Sequence, residues 1–283
     1  MINYKNCTEV ELEKVYTGFK LGFSDYMIKL DISQADFLKR FFGPEGNSLE
    51  YSFIALDDEE PIGVILGGIK DYEGVKTMRC GTLCIHPDYR GKGVSQELFR
   101  LHKQIALDNK CKQMFLEVIS GNDRAVKFYS RFGYHKIYDI NYYTHSDAAS
   151  FIDENNSLQN IKQIDYETIT SLSNETVDIH INWQNDMDYI KKLDDITYYG
   201  AYKDSALIGI LGINTIGKIY FIWTMPQYRY RGIASSLIIK AVKELQLKKL
   251  SISFPNNSKL EGFVRYNKFE RDKISQYEMY LTL

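Results

Sequence analysis

The segment His86–Leu98, HPDYRGKGVSQEL, joins the end of an apolar run to the start of a stretch with helical periodicity through a basic, glycine-rich loop. The same plan returns at Met225–Leu237, MPQYRYRGIASSL. Where a strand hands over to a helix, several backbone N–H groups lack partners and the helix dipole is positive, so anions bind there. Gly91 and Gly93 let an anion approach the amides, and Arg90 and Lys92 add positive charge. The pattern predicts a grip for a diphosphate. Neither common nucleotide loop fits: the P-loop needs GxxxxGK followed by Ser or Thr, and the dinucleotide fingerprint GxGxxG fails at Gln96. One isolated RGKG reads equally well as a tight basic turn with a solvated helix cap. Its recurrence in matching context favours the grip.

Outward from the loops, the two halves align. IALDDEEPIGVILGG from Ile54 meets GAYKDSALIGILGIN from Gly200 at an offset of 146, which falls to 139 between Arg90 and Arg229 and to 135 between Asn122 and Asn257. Shrinkage confined to connections is expected of duplicated domains, and so long a period excludes a solenoid. The repeat predicts two tandem domains, 1–146 and 147–283, joined through the polar stretch Thr144–Asn160.

Within the first copy, a strand near Ile2 precedes a helical region from Thr8 to Phe42, with Thr8 and Glu11 spaced as a capping box. Strands follow at Tyr51–Leu56, Ile62–Tyr72 and Lys76–Ile85, turning at DDEE and YEGV. Val94, Leu98, Leu101 and Ile105 recur at helical spacing, MFLEVI from Met114 reads as a buried strand, and Asn122–Phe132 is a second helix stopped by Gly133. A final hairpin closes the domain. The fold class is therefore mixed α/β, mostly antiparallel, with helices flanking the sheet.

The chain has 283 residues, 44% of them hydrophobic, enough for a core in each domain. Lys and Arg (35) nearly balance Asp and Glu (37), so the net charge of −2 offers no field to gather nucleic acid or an anionic membrane. MINYKNCTEV lacks a signal pattern and the apolar run at Ile62 is too short to span a bilayer, which predicts a cytoplasmic protein. Cys7, Cys80, Cys84 and Cys111 form no CxxC pair and read as reduced thiols, with Cys80 and Cys84 on one face of a strand.

Each half resembles the GNAT superfamily of acyl-CoA-dependent N-acetyltransferases, whose loop pattern is Gln or Arg, x, x, Gly, x, Gly or Ala. Arg229, Arg231, Gly232 and Ala234 lie in RYRGIA, which satisfies it fully. RGKGVS (Arg90–Ser95) carries serine in the last place. The family's second signature stands as NDRAVKFYSRFGY from Asn122. The resemblance implies that acetyl-CoA lies between the fourth and fifth strands with its diphosphate on Arg90, Gly91, Lys92, Gly93, Val94 and Ser95, and that a backbone N–H among Leu83, Cys84 and Ile85 polarises the thioester carbonyl. It implies no metal.

The acceptor amine must lose a proton before it attacks. Glu117, the one charged residue in MFLEVI, is the candidate base; a glutamate in an ion pair is the competing reading. Tyr129 occupies the family's general-acid position, twelve residues after Glu117 as in the ribosomal-protein alanine N-acetyltransferases this stretch resembles. A core tyrosine is its competing reading. Asn122 is a helix cap that could also touch pantetheine. At offset 135, Ile252, Val264 and Lys268 replace Glu117, Tyr129 and Gly133, which places chemistry in the first domain. The expected function is acetyl transfer to a primary amine of a small molecule or peptide terminus. Two alternatives remain: catalysis in the second domain, as in another tandem relative, and an acyl-CoA-binding module without turnover. Two fused copies imitate a dimer, so a monomer or a homodimer fits equally.

Overall fold

The computed structural model describes residues 1–151, 160–170 and 179–283. Residues 152–159 of the expected join lie outside the described residues. The chain forms two compact units: Met1–Ile137 with Tyr277–Leu283, and Tyr138–Gln276. The expected contiguous division after residue 146 differs from these units in its closing strands. His135–His145 belongs mostly to the second unit, and Tyr277–Leu283 at the end of the sequence belongs to the first. A sheet edge is satisfied by whichever strand brings matching backbone groups to it, near or far in sequence.

In the first unit, strands β1 (Ile2–Asn6), β2 (Ser48–Asp57), β3 (Glu60–Tyr72) and β4 (Val75–Ile85) form an antiparallel meander. β5 (Gln113–Ile119) adds in parallel to β4, and the chain's closing strand (Glu270–Thr282) lies beside β5. The DDEE and YEGV turns hold Asp58, Glu59, Glu73 and Gly74 at positive φ. The DDEE tip also ties elements together, with Glu59 taking Lys14 at 2.6 Å and Lys5 at 3.3 Å.

Helices α1 (Leu12–Gly22) and α2 (Gln34–Phe41) cover one face, where Val15, Phe19 and Phe37 pack on Ile54, Val64, Leu66 and Cys84. Helices α3 (Val94–Asp108) and α4 (Asp123–Arg131) cover the other, with Leu98, Phe99 and Tyr129 on Met78, Cys80, Leu116 and Val118. Burying each such Leu or Phe contributes about 1.5–3 kcal/mol. Cys80 and Cys84 thus face opposite sides, not one. The β3–β4 pairing jumps from Leu66↔Thr82 to Gly67↔Cys80, and the bulge at Gly81 reverses the alternation. The capping box also falls elsewhere: Asn6 and Glu9 form it, opening a 3₁₀ turn, and α1 starts at Leu12 without a side-chain cap.

The second unit repeats the plan. Here β6 (His135–His145), β7 (Ile161–Ile164), β8 (Ile196–Lys203), β9 (Ala206–Asn214), β10 (Lys218–Thr224) and β11 (Leu250–Phe254) take the order β6-β11-β10-β9-β8-β7. Between β7 and β8 the described residues hold only the short helices α5 (Tyr166–Thr170) and α6 (Met187–Ile190), with Trp183 buried. Helices α7 (Ile233–Leu245) and α8 (Ser258–Tyr266) pack Leu237, Val242 and Val264 on Leu211, Ile219 and Ile252.

Gly22 sets how closely α1 approaches β4: a Cβ there would stand 2.6 Å from Cys84 Sγ and 3.0 Å from the Cys84 carbonyl carbon. Gly22→Ala is expected to destabilise by about 1–3 kcal/mol despite alanine's better helix propensity. Gly262→Ala in α8, where a Cβ meets nothing within 4 Å, should stabilise by about 0.5–1 kcal/mol. Denaturant midpoints of the two variants moving in the same direction would contradict this account.

Candidate functional site

β4 ends at Ile85 and the chain turns through Pro87–Tyr89, capped by His86, whose Nδ1 accepts from the Asp88 N–H at 3.2 Å. Gly91 and Gly93 then adopt φ of 76° and 85°, left-handed conformations that glycine enters without strain. Gly93 is the N-cap of α3 and brings no side chain to the task. The first helical bonds run from Gln96 and Glu97 N–H to the Gly93 carbonyl, so the Val94 and Ser95 amides precede them. By contrast Ser33, Asn122 and Asn257 cap α2, α4 and α8 with their side chains. A Cβ on Gly91 would meet nothing within 4 Å, leaving space over uncapped amides.

Arg90 has a different task from the one its sequence suggests. Its guanidinium holds Asp25 at 2.5 and 2.6 Å and donates to the carbonyls of Ile85 (3.1 Å) and Gly22 (3.3 Å). It fastens the end of α1 to the loop instead of standing free for an anion. Lys92 lies over the Tyr89 ring at 4.9 Å. Asn122 caps α4 by accepting from Ala125 N–H at 3.2 Å. The second loop copies the first: Arg229 donates from Nε to Thr224 O at 3.0 Å, Arg231 covers Tyr228, and Gly232 has φ 77° and leads through Ile233 to Ala234. Tyr230 replaces Gly91 at φ 62°, almost fully exposed.

Beside the loop the sheet opens. β4 and β5 pair only from Thr77↔Gln113 to Arg79↔Phe115, although both continue, to Ile85 and Ile119. The His86 N–H bonds to Ile62 O at 2.8 Å, which fixes the alternation of the β3–β4 ladder. Cys84 therefore points its amide at Val64, while Leu83 and Ile85 turn theirs into the widening gap. Of the three expected carbonyl-polarising residues, Leu83 and Ile85 have the required orientation. Cys84 does not.

Glu117 and Tyr129 flank this gap from opposite faces. Tyr129 belongs to the α3–α4 core, its hydroxyl 3.8 Å from Cys80 Sγ, and burial raises its pKa well above the ordinary 10, so it stays protonated. Glu117 points the other way into a buried charged cluster that the sequence reading missed. Arg79 donates to Glu117 at 2.7 Å, to the Glu45 carboxylate at 2.7 Å and to the Glu45 carbonyl at 3.0 Å. The ion-pair reading of Glu117 is thus satisfied, yet its pKa is pushed up to about 7. Burial is the main cause; Arg79 pulls it down, and Glu278 and Glu45 push it up again. A carboxyl so placed can hold a proton and release it at neutral pH. Arg79 gave the same signal as Glu117, a charge in an apolar strand. Asp25, Glu45 and Glu278 gave none.

The second copy opens at the same place. β10 and β11 pair at Lys218↔Ser251 and Ile219↔Ile252 and then part, after a bulge at Tyr220 matching that at Gly81. The register shows a one-residue slip in the offset used for this strand. Ile219 takes the place of Cys80, so Ile252 matches Leu116 and Ser253 matches Glu117. The comparison still finds no carboxylate, and Val264 stands buried where Tyr129 does.

A family model described as "Acetyltransferase (GNAT) family" matches residues 14–134 and again 157–267. N-alpha-acetyltransferase 30 of Schizosaccharomyces pombe is 28% identical over 133 residues, 44% of this chain and 86% of that protein. A tandem GNAT protein from the clavulanic acid biosynthesis pathway superposes with a TM-score of 0.70 at 11% identity, covering 100% of this chain and 98% of its own. A putative acetyltransferase from Pyrococcus horikoshii gives 0.66 at 13% identity, covering 100% and 89%. At such identities the two structures speak for the fold alone. No helix among the described residues is long and apolar enough to cross a membrane.

Arg79→Leu would leave Glu45 and Glu117 buried without their shared cation, at an expected cost of about 3–5 kcal/mol. Because Glu117 can take up a proton, the deficit should be larger at pH 9 than at pH 6. Thermal unfolding of the variant and the parent at both values checks this, and a pH-independent deficit would contradict it.

Proposed function

As the chain belongs to the GNAT acetyltransferase family, in tandem form, we propose that its first unit transfers an acetyl group from acetyl-CoA to a primary amine of a small molecule or peptide terminus. The observation that carries this reading is the parting of β4 from β5 at Arg79↔Phe115. An open strand edge and uncapped helix amides beside it, with Glu117 and Tyr129 on the two faces, support the reading.

The amides of Val94 and Ser95, with Gly91 and Gly93 giving access, suit the diphosphate of the cofactor. The Leu83 and Ile85 N–H groups suit the thioester carbonyl, on which negative charge develops as the tetrahedral centre forms. Glu117 takes a proton from the acceptor ammonium, and the neutral amine attacks the carbonyl carbon. As the C–N bond forms and the C–S bond breaks, the thiolate takes a proton from Tyr129. The phenol is restored by the proton that the acylated nitrogen sheds, so the net products are the amide, free CoA and one released proton. Opposite faces suit this order, with cofactor sulfur on the α4 side and amine on the α1–α2 side. Since Ser253 and Val264 stand where the first unit has Glu117 and Tyr129, we assign the second unit a supporting or CoA-holding role. Absence of a membrane-spanning helix among the described residues fits the proposed cytoplasmic setting.

Thiol release from acetyl-CoA across a panel of primary amines tests the proposal. Tyr129→Phe is expected to lower kcat by about 10²-fold with CoA affinity preserved. The base must be ionised, so kcat/KM should fall with acid through about pH 7, the value to which Glu117 is pushed. Turnover by Tyr129→Phe at the parent rate would remove the phenol from the mechanism. Saturable CoA binding with no turnover on any amine would overturn the enzymatic reading.

A further inference from the structure

The closing strand of the chain, labelled β12 (Glu270–Thr282), brings a second carboxylate to the proposed site. Leu283 N–H bonds to Lys112 O at 3.0 Å, and the rings of Phe115 and Tyr280 stand 5.0 Å apart. Both contacts fit one antiparallel register between β5 and β12, and that register sets Glu278 directly opposite Glu117. Cross-strand neighbours on one face have Cβ atoms about 4.5–5.5 Å apart, and like charges so placed repel. Glu278 is fully buried, with the Tyr280 hydroxyl 3.5 Å from its Oε2. Glu117 keeps one carboxylate oxygen on Arg79, while its other oxygen is buried without a hydrogen-bond partner.

We infer that Glu278, set opposite Glu117 across β5 and β12, is the positioning residue that raises the proton affinity of the base. The inference rests on the proposed role of Glu117. Arg79 pairs with Glu45 and Glu117, while Glu278 acts on Glu117 from the neighbouring strand. A carboxylate on the facing strand disfavours a charge on Glu117 and so favours its protonated form. The other titratable neighbours are Tyr72 on β3, with Glu73 beside it, and Tyr280 on β12. Burial and then Glu278 are the main causes that raise the Tyr72 hydroxyl well above its ordinary value, with smaller contributions from Tyr280, Glu117 and Glu73. An acceptor ammonium donating one proton to ionised Glu117 leaves a neutral amine and a neutral carboxyl, so charge and protons balance.

The second unit supplies an internal contrast. Ser253, which matches Glu117, pairs with Tyr142 on β6, and Tyr142 bonds to Gln276. The same pair of strand positions therefore folds with two neutral side chains. A carboxylate at Glu278 is not a requirement of the sheet.

Full-length protein labelled with ¹³C at the glutamate carboxyls should be titrated as parent, Glu278→Gln and Glu117→Gln, the last assigning the Glu117 resonance. In the parent, Glu117 should titrate at about 7. In Glu278→Gln its midpoint should fall by about one unit or more, roughly a tenfold loss of proton affinity. Glu278→Asp, which keeps the charge on a shorter side chain, should lower it less and tests the inference even if Glu278→Gln folds poorly. Glu117 titrating at an unchanged midpoint without Glu278 would overturn the inference. The acid limb of kcat/KM should move with the carboxyl. A limb that stays while the carboxyl moves upholds the effect of Glu278 and rejects Glu117 as the base, so the two readings fail separately.

Discussion

The parting of two parallel strands is the constraint on which the site depends. A parallel ladder satisfies every amide it pairs, so a sheet that stayed closed from Arg79 to Ile85 would offer a ligand no main-chain donors. The bulge at Gly81 shifts the alternation just where pairing with β5 ends. Side chains before it and after it consequently serve different faces, which is why Cys80 meets Tyr129 while Cys84 lies under α1. The same bulge recurs at Tyr220 beside the same opening. It is a property of the duplicated architecture, independent of whether a carboxylate or a phenol accompanies it.

Around this opening the two copies divide their resources differently. The first surrounds it with a buried guanidinium and three carboxylates, a costly arrangement that an apolar cluster of similar volume would commonly match or exceed in stability. The second has Lys218, itself half-buried, with Ser253 and Tyr142 where the first has Arg79, Glu117 and Glu278, and Val264 in place of Tyr129, with no carboxylate at these positions. Charge kept inside a core where its sister domain manages without it points to chemistry more than to folding. The Arg90–Asp25 clasp follows the same logic, fixing the segment after α1 to the anion loop while the loop's amides stay open.

Local patterns in the sequence were legible where the physics is local. The glycine loops, the α4 cap at Asn122 and the meander with its two tight turns depend on neighbours a few residues away, and the structure has them. Glu117 stood out as a charge within an apolar run. What the sequence hid was non-local: the exchange of closing strands, the partners of Arg90 and Arg79, and the register that sets Glu278 against Glu117. The bulge was concealed too. Gly81 alone hints at it, and Tyr220 at the matching position hints at nothing, so the facing of Cys84 and the slip that makes Ser253 the counterpart of Glu117 could be read only from paired strands.

The exchange of closing strands also bears on how the protein is made. The strand that covers the edge of β5 is translated after the entire second unit, so the first unit emerges from the ribosome with a row of unpaired backbone groups and a buried-type carboxylate at its rim. Edges of this kind invite pairing with other chains, and nascent domains fold in the order of their synthesis. Completion of the first unit thereby waits on synthesis of the second: a chain stalled midway holds its anion loop and its phenol but has no finished sheet around them.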